Sequence, residues 1–207
     1  LPEPTIIGGS ENFNTVLWTG DATFPRNISG VGFDLSTDGG LVWIKNRSST
    51  VSHTLWDSVR GAGANKELSP NNTTAEGALG ALGTTADYGY ISSLTSDGFD
   101  VAEGATGYES YVNASGNAYV AWNWKAGTAF SNSAGSNGAT IASSGSVNTD
   151  AGFSIVRWDG NSTAPTTQSI GHGLGNTPSL IIVKAYDAVS YGAQNWVVWH
   201  KDFGANE

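Results

Sequence analysis

The chain has 207 residues, of which only 13% are charged, and its formal net charge is −9. This acidic balance argues against nucleic acids and anionic membranes as partners, because binding to their phosphate groups depends on clustered basic side chains. The absence of cysteine excludes disulfides, thiolate zinc sites and cysteine nucleophiles, and no apolar run reaches the roughly 18 residues that a membrane-inserted helix needs.

Hydrophobic alternation with a period of two predicts β-strands along most of the chain. The clearest strand is predicted at 118–125, where Val120, Trp122 and Trp124 fall on one face, and we expect these three side chains to face the core. A helix is predicted nowhere except for one short turn within 73–82. The other predicted strands of the first half lie at 14–19, 41–45 and 53–57, with a turn entering a further strand at 96–101.

A change of composition divides the chain. Residues 128–150 consist almost wholly of Gly, Ala, Ser, Thr and Asn, which is typical of a long loop or linker with room for one short strand at 139–141. We therefore predict an N-terminal arm over 1–10, a β-sandwich domain over 11–127 and a second, incomplete β-repeat over 151–207.

The second part repeats the strand pattern of the first. Repeats of this length indicate duplicated domains rather than a solenoid. The second copy has counterparts of only three strands, and half a sandwich exposes strand edges and an apolar face. We expect it to be completed by packing on the first unit, by a neighbouring subunit or by further chain. The matching residues are Phe13, Val16, Trp18 and Gly20 with Phe153, Val156, Trp158 and Gly160, then 41–45 with 180–184, and 55–56 with 198–199.

These motifs, in this order, resemble a domain of tailed-phage structural proteins, namely the tail-fibre or concanavalin-like domain. The resemblance covers 13–127 and restarts over 153–206. It implies an all-β antiparallel sandwich of the lectin-like, jelly-roll type, located at a virion surface and so extracellular. The motifs are F-x-x-V-x-W-T-G at 13–20, G-V-G-F at 30–33, L-V-W-I-K-N-R-S-S-T at 41–50, H-x-L-W-D-S-V-R-G at 53–61, N-x-T-x-A-E at 71–76, S-D-G-F at 96–99, and Y-V-A-W-N-W-K-A-G at 119–127.

The resemblance and the incomplete repeat predict a non-enzymatic structural and adhesive protein that assembles with itself and with other virion proteins and attaches to the host surface. The alternative is a carbohydrate-binding module for surface glycans, and a third hypothesis is a glycoside hydrolase. Hydrolysis needs two carboxylates that flank one sugar bond, and the acidic residues of the first unit lack a spacing that directs a pair into one cleft. These residues are Glu67, Glu76, Asp97, Asp100, Glu103 and Glu109.

Loop tyrosines are the predicted ligand-binding residues, because tyrosine offers a flat apolar face to a sugar ring, whereas most tryptophans lie in strand patterns typical of a core. We predict no catalytic residue and no cofactor. For a metal the alternative is Ca²⁺, for which Asp34 and Asp38, or Asp97 and Asp100, supply oxygen ligands without a complete binding loop. The predicted tyrosines are Tyr88, Tyr90, Tyr108 and Tyr111, followed by Tyr186 and Tyr191.

Overall fold

The computed structural model describes residues 8–78, 88–105, 109–161, 167–187 and 194–203. These residues form twelve β-strands and one short 3-10 helix, Gly9–Glu11. No helix among them is long and apolar enough to cross a membrane. Neighbouring strands in every sheet pair antiparallel, which confirms the predicted all-β fold. The strands are β1 (Phe13–Thr19), β2 (Arg26–Ser29), β3 (Gly40–Asn46), β4 (Thr54–Asp57), β5 (Tyr90–Thr95), β6 (Gly98–Ala102), β7 (Ala118–Lys125), β8 (Thr128–Asn132), β9 (Ser143–Asn148), β10 (Phe153–Trp158), β11 (Leu180–Val183) and β12 (Val197–His200).

Two sheets pack face to face to form the sandwich of the first unit. One has the strand order β1-β7-β3-β4 and the other the order β2-β6-β5. Their facing side chains form the hydrophobic core, which includes Ile28, Val42, Trp56 and Phe99. Burial of apolar surface contributes about 25 cal/mol per Å², so this interface is the main source of stability for the fold. The sequence pattern predicted β1, β3, β4, β6 and β7, but not β2 or β5.

The central strand β7 faces the opposite way to our prediction. Tyr119, Ala121 and Asn123 point into the core and are each 0% exposed. Trp122 and Trp124 lie instead on the outer surface of the four-stranded sheet. Val120, which was also predicted to face the core, shares their face of the sheet but is only 6% exposed. The predicted alternation is confirmed, but a strand that is apolar on both faces does not indicate which face packs against the second sheet.

The hydrogen bonds of Tyr119 explain why its side of β7 faces inward. Its hydroxyl donates to the carbonyl oxygen of Ser110 at 3.1 Å and accepts from the amide of Ala114 at 2.8 Å. Its ring stacks on Trp18 with ring centroids 5.1 Å apart. A buried tyrosine normally requires such partners for its hydroxyl, and the loop around Ser110 supplies them.

The segment predicted as a linker belongs to a sheet. Strands β8 and β9 pair with β10 in the order β10-β9-β8, so the linker predicted at 128–150 is replaced by two strands. The short strand predicted at 139–141 is reduced to a single bridge from Ile141 to Ile170. Glycine is required within β9, because a methyl group at Gly145 would lie 2.1 Å from the carbonyl oxygen of Ile155. The small residues of 128–150, whose composition is typical of loops, here allow neighbouring strands to approach closely.

The last two strands form a hairpin that repeats β3 and β4. Val42 pairs with Trp56 in the first unit, and Ile181 pairs with Trp199 in the second. The repeat seen in the sequence therefore extends to the pairing register of the strands.

Candidate functional site

The β11–β12 hairpin exposes an unusually apolar surface. Neighbouring residues of a strand point to opposite sides, so both faces of the hairpin are apolar and in contact with solvent. Contiguous apolar patches on the surface of soluble monomers are normally small, and larger ones mark binding sites. The exposed residues are Leu180 (52%), Ile181 (41%), Ile182 (54%), Val197 (62%), Val198 (55%), Trp199 (40%) and Phe203 (59%).

The ends of this hairpin are fixed to the first unit. The indole N–H of Trp196 donates to the carbonyl oxygen of Ser69 at 2.9 Å, and the ammonium group of Lys184 donates to that of Thr73 at 2.9 Å. Burial lowers the pKa of Lys184. The amide of Glu76 also donates to the carbonyl oxygen of Tyr186 at 2.8 Å. The hairpin is thus held in a defined position while its two faces stay open.

A second apolar surface lies on the outside of the four-stranded sheet. We call it the tryptophan face and define it by Phe13, Trp43, Trp122 and Trp124, all of which are partly exposed. The ring centroids of Phe13 and Trp124 are 4.9 Å apart, and those of Trp43 and Trp122 are 5.8 Å apart. Phe153 of the second unit stacks on Trp124 at 6.3 Å. Flat, partly exposed aromatic rings in a row suit a ligand with an apolar face, such as a sugar ring.

One edge of the tryptophan face depends on a neutral histidine. The indole N–H of Trp43 donates to Nδ1 of His53 at 2.9 Å, so the imidazole proton is placed on Nε2. Burial, together with the positive charge of Lys45, lowers the pKa of His53. The Lys45 ammonium group is itself held by backbone carbonyl oxygens, including that of Val51 at 2.9 Å. This network fixes the orientation of the Trp43 ring.

A comparison with protein families assigns the chain. The model of one family, described as Domain of unknown function (DUF7483), matches residues 8–207. The chain belongs to this family. The match includes both units, so the DUF7483 domain contains the sandwich and the hairpin together. No curated protein and no solved structure matches the chain.

The structure places three of the tyrosines that the sequence suggested as ligand-binding residues of this DUF7483 chain at the core of the sandwich. Tyr88 and Tyr111 contact each other edge to face with ring centroids 5.1 Å apart. Tyr111 is only 8% exposed and belongs to the core, and burial raises its pKa. Tyr90 packs partly buried against the same core, and Tyr108 lies outside the described residues. A role for them in ligand binding stays a prediction.

The tryptophan face was not predicted, because tryptophans in strand patterns are expected in a core. The signal was present in the alternation of β7, where both faces are apolar. The side with Tyr119, Ala121 and Asn123 has the smaller or hydrogen-bonding side chains that fit between two sheets, while the side with Trp122 and Trp124 carries the larger rings. Tyrosines in loops were a weaker guide, because Tyr111 is buried despite its position between strands.

Three of the acidic residues considered for hydrolysis, Glu76, Asp97 and Asp100, stabilise the fold. Arg60 binds one of them, with Nη1 3.1 Å from Oε1 of Glu76, and it also binds Asp57, with Nε 2.6 Å from Oδ2. Asp97 accepts hydrogen bonds from two backbone amides of the loop after β2, and Asp100 accepts from two side chains of neighbouring strands. Each of these carboxylates therefore has a partner within the fold.

The carboxylates considered for Ca²⁺ are engaged in turns and pairs. Asp34 accepts hydrogen bonds from Ser36 and Thr37, which lower its pKa to about 2. Asp38 lies 2.8 Å from the ammonium group of Lys125. Within the described part of the chain, no group of three or more His, Asp or Glu residues is placed to hold a metal ion. Ca²⁺ binding stays an untested alternative.

Proposed function

We propose that this protein is a non-enzymatic structural and adhesive component of a phage particle, which assembles with copies of itself and with other virion proteins and attaches to the host surface. The observation that carries the proposal is the exposed apolar β11–β12 hairpin, because such a surface requires a partner. The motif resemblance over 13–127 supports the location on a virion surface.

The energy available from this hairpin is of the order that assembly needs. Full burial of one Val, Leu or Ile side chain contributes about 1.5–3 kcal/mol. Association of two proteins costs about 4–15 kcal/mol of lost translational and rotational freedom. Seven large apolar side chains that are each 40–62% exposed supply a stabilisation of comparable size when a partner covers them.

Light scattering of the purified chain over a wide range of concentration tests the assembly. Ile182 and Val198 are cross-strand partners and so share one face of the hairpin. We expect the wild-type chain to self-associate and the double variant Ile182→Lys, Val198→Lys to lose this association. Leu17→Lys is the control, because Leu17 is 62% exposed on β1, a strand of a different sheet. A folded wild-type chain that stays monomeric throughout would overturn the self-assembly.

A second function is favoured by the tryptophan face. We propose carbohydrate binding there, in which Trp122 stacks on a sugar ring and Trp43, whose ring is inclined at 71° to that of Trp122, contacts its edge. The nearby Thr15, which lies across the sheet from Trp122, bonds the sugar hydroxyl groups. Attachment of a particle to a cell surface by such sites gains strength from repetition, because linked weak sites bind with avidity. This role is compatible with assembly through the hairpin, since the two surfaces lie on different strands.

A glycan array with the wild-type chain tests the second function. We expect binding that is lost in Trp122→Ala and reduced in the more conservative Trp122→Leu, which keeps apolar area but removes the flat ring. Trp199→Ala is the control, because Trp199 is an exposed tryptophan of the hairpin. Binding that persists in both Trp122 variants, or no glycan binding by the wild-type chain, would contradict this function.

A further inference from the structure

Strands β10 and β11 of the second unit correspond to β1 and β3 of the first unit, which are separated by β7. Strand β7 pairs with β1 on one side and with β3 on the other. On the β1 side, the amide of Lys125 donates to the carbonyl oxygen of Asn12 at 2.8 Å. On the β3 side, the amide of Arg47 donates to the carbonyl oxygen of Ala118 at 2.7 Å. Because peptide groups alternate sides along a strand, these bonds identify the edge of each strand that faces β7.

The corresponding edge of β11 is open. In the first unit the amide of Ser58 donates to Gly40 of β3, and in the second the amide of Lys201 donates to Ser179, the residue that precedes β11, at 3.0 Å. The side of β11 that bonds β12 is therefore the side on which β3 bonds β4. Leu180 and Ile182 direct their peptide groups to the other side. Among the described residues, β12 is the only neighbour of β11.

The corresponding edge of β10 is also open. The carbonyl oxygen of Ile155 points at β9, since it lies 2.1 Å from the position of a methyl group on Gly145. The peptide groups of Val156 and Trp158 therefore point away from β9. In the first unit the counterparts of these residues, Val16 and Trp18, direct their peptide groups at β7. Within the described ranges β10 pairs with β9 alone.

One contact keeps the two open edges near each other. The hydroxyl of Tyr186, which follows β11, donates to Oδ1 of Asp159 at 2.9 Å and accepts from Nε of Arg157 at 3.1 Å. The Arg157 guanidinium also lies 5.2 Å from the centre of the Tyr186 ring. In the first unit the counterparts of Asp159 and Tyr186 lie on opposite sides of Ala118 of β7, so they are separated by two strand spacings. The long side chain of Tyr186, together with that of Asp159, is able to span the roughly 9–10 Å that corresponds to two strand spacings.

We propose that the space between β10 and β11 receives an extended strand from a different polypeptide of the particle, antiparallel to both and with the side-chain pattern of Ala118–Lys125. This proposal rests on the proposed assembly function and specifies its partner. The first unit supplies the pattern: about eight residues with apolar side chains on both faces. The described residues of a second copy offer no free strand with this pattern, because Ala118–Lys125 is paired on both sides. Recognition is by backbone hydrogen bonds along two edges, as in β-strand addition.

A synthetic peptide with the sequence of Ala118–Lys125 serves as the probe for the full chain. Amide hydrogen exchange is measured with and without the peptide, and we expect β10 and β11 to become protected together. Two N-methylated peptides serve as controls. Methylation at Tyr119 and Ala121 removes the donors directed at β10, and methylation at Val120 and Trp122 removes those directed at β11. Each should bind roughly tenfold more weakly or worse, because two backbone hydrogen bonds are lost.

The outcomes separate this proposal from the proposed function. Protection of both strands, together with weakened binding of both methylated peptides, supports strand insertion. Protection of only one strand, equal binding by a methylated peptide, or no binding overturns it. Self-association that protects β10 and β11 without the peptide also overturns it and identifies a second copy as the occupant. In all four of these cases the light-scattering result on the hairpin variants still stands, so assembly survives when strand insertion fails.

Discussion

The two hairpins of this protein have the same register but different surroundings. Trp56 of β4 is 1% exposed and its cross-strand partner Val42 is 0% exposed, whereas Trp199 of β12 is 40% exposed and its partner Ile181 is 41% exposed. Pairing is therefore encoded within each hairpin. The burial of these side chains is not encoded within the hairpin, because it depends on packing against β7 and the second sheet, which are present in the first unit.

The two units share their strand register but differ in aromatic packing. Trp18 of β1 stacks on Tyr119, meets Phe99 edge-on with ring centroids 6.0 Å apart, and donates its indole N–H to Val112 at 3.0 Å. Trp158 is its counterpart in β10 and lies across from Ser143 of β9. A tryptophan placed by the same motif thus closes a core in one unit and lies opposite a small polar residue in the other.

The largest effect is expected for removal of the buried tryptophan. Trp56→Ala should lower the free energy of unfolding by about 3–5 kcal/mol, because it leaves a large cavity between the sheets. The equivalent change Trp199→Ala should cost less than about 1 kcal/mol in the isolated chain, since a surface substitution leaves no cavity. Urea unfolding followed by circular dichroism measures both. Equal costs for the two variants would show that the second hairpin is packed as tightly as the first.

Loss of the buried ion pair should have a slightly smaller effect. In Arg60→Met the carboxylate of Asp57 is left buried without its partner, and breaking such a pair costs roughly 3 kcal/mol or more. Lys66→Met is the control, because the Lys66 side chain is 42% exposed and lies 3.8 Å from Glu76, and pairs in contact with solvent contribute less than about 1 kcal/mol. The same urea experiment measures both variants.

A further variant sharpens the ion-pair prediction. Asp57→Asn in the Arg60→Met background removes the unpaired charge and should recover part of the lost stability. No recovery would indicate that Arg60 acts through the packing of its side chain rather than through its charge. In the second hairpin His200 occupies the position of Asp57 and is partly exposed, so that hairpin lacks a buried carboxylate at this position.

Strand positions in the first unit were predictable because each combines alternation with a turn residue. The strands β1, β3 and β7 follow this pattern, as does the repeat in β10 and β11. Strand β2 was missed because only Ile28 of its four residues is buried. Strands β8 and β9 were missed because small residues in sheets and in loops have the same composition. The inward face of β7 was not predictable, since it depends on hydrogen-bond partners from a distant loop.

The candidate surfaces were predictable only in part. The exposed hairpin follows from the incomplete repeat, because the sequence shows counterparts of β3 and β4 but none of β7. The tryptophan face did not follow, because tryptophan in a strand is usually buried. Its recognition needed the register of Trp43 with Trp122, which is a property of the folded sheet.

Substitution of Gly145 tests whether the segment predicted as a linker is a sheet. Gly145→Ala should cost about 1–3 kcal/mol through overpacking, because the added methyl group meets the backbone of Ile155. Gly160→Ala is the control, since no atom lies within 4 Å of a methyl group there. Amide exchange of β8 and β9 locates the effect. Fast exchange of both strands in the wild-type chain would contradict the sheet.

The smallest effect is expected from titration of His53. Its pKa in the folded protein is lowered from the ordinary value, first by burial and then by Lys45, so the folded state favours the neutral imidazole. The associated stability is fully present above about pH 6.5, the usual pKa of histidine, and is lost as the pH falls through the lower folded value. In the same range the protonated ring stops accepting the hydrogen bond of Trp43, which NMR of the Trp43 indole N–H detects.

The second hairpin supplies the internal control for this titration. Trp196 occupies the place of His53 there and donates to a backbone carbonyl that does not titrate. Acidification should therefore lower the amide-exchange protection of β3 and β4, taken relative to the intrinsic exchange rate at each pH, more than that of β11 and β12, and the difference should vanish in His53→Gln. If the protection of β3 and β4 is unchanged while the His53 ring is shown to be protonated, the hydrogen bond from Trp43 contributes nothing to holding the tryptophan face.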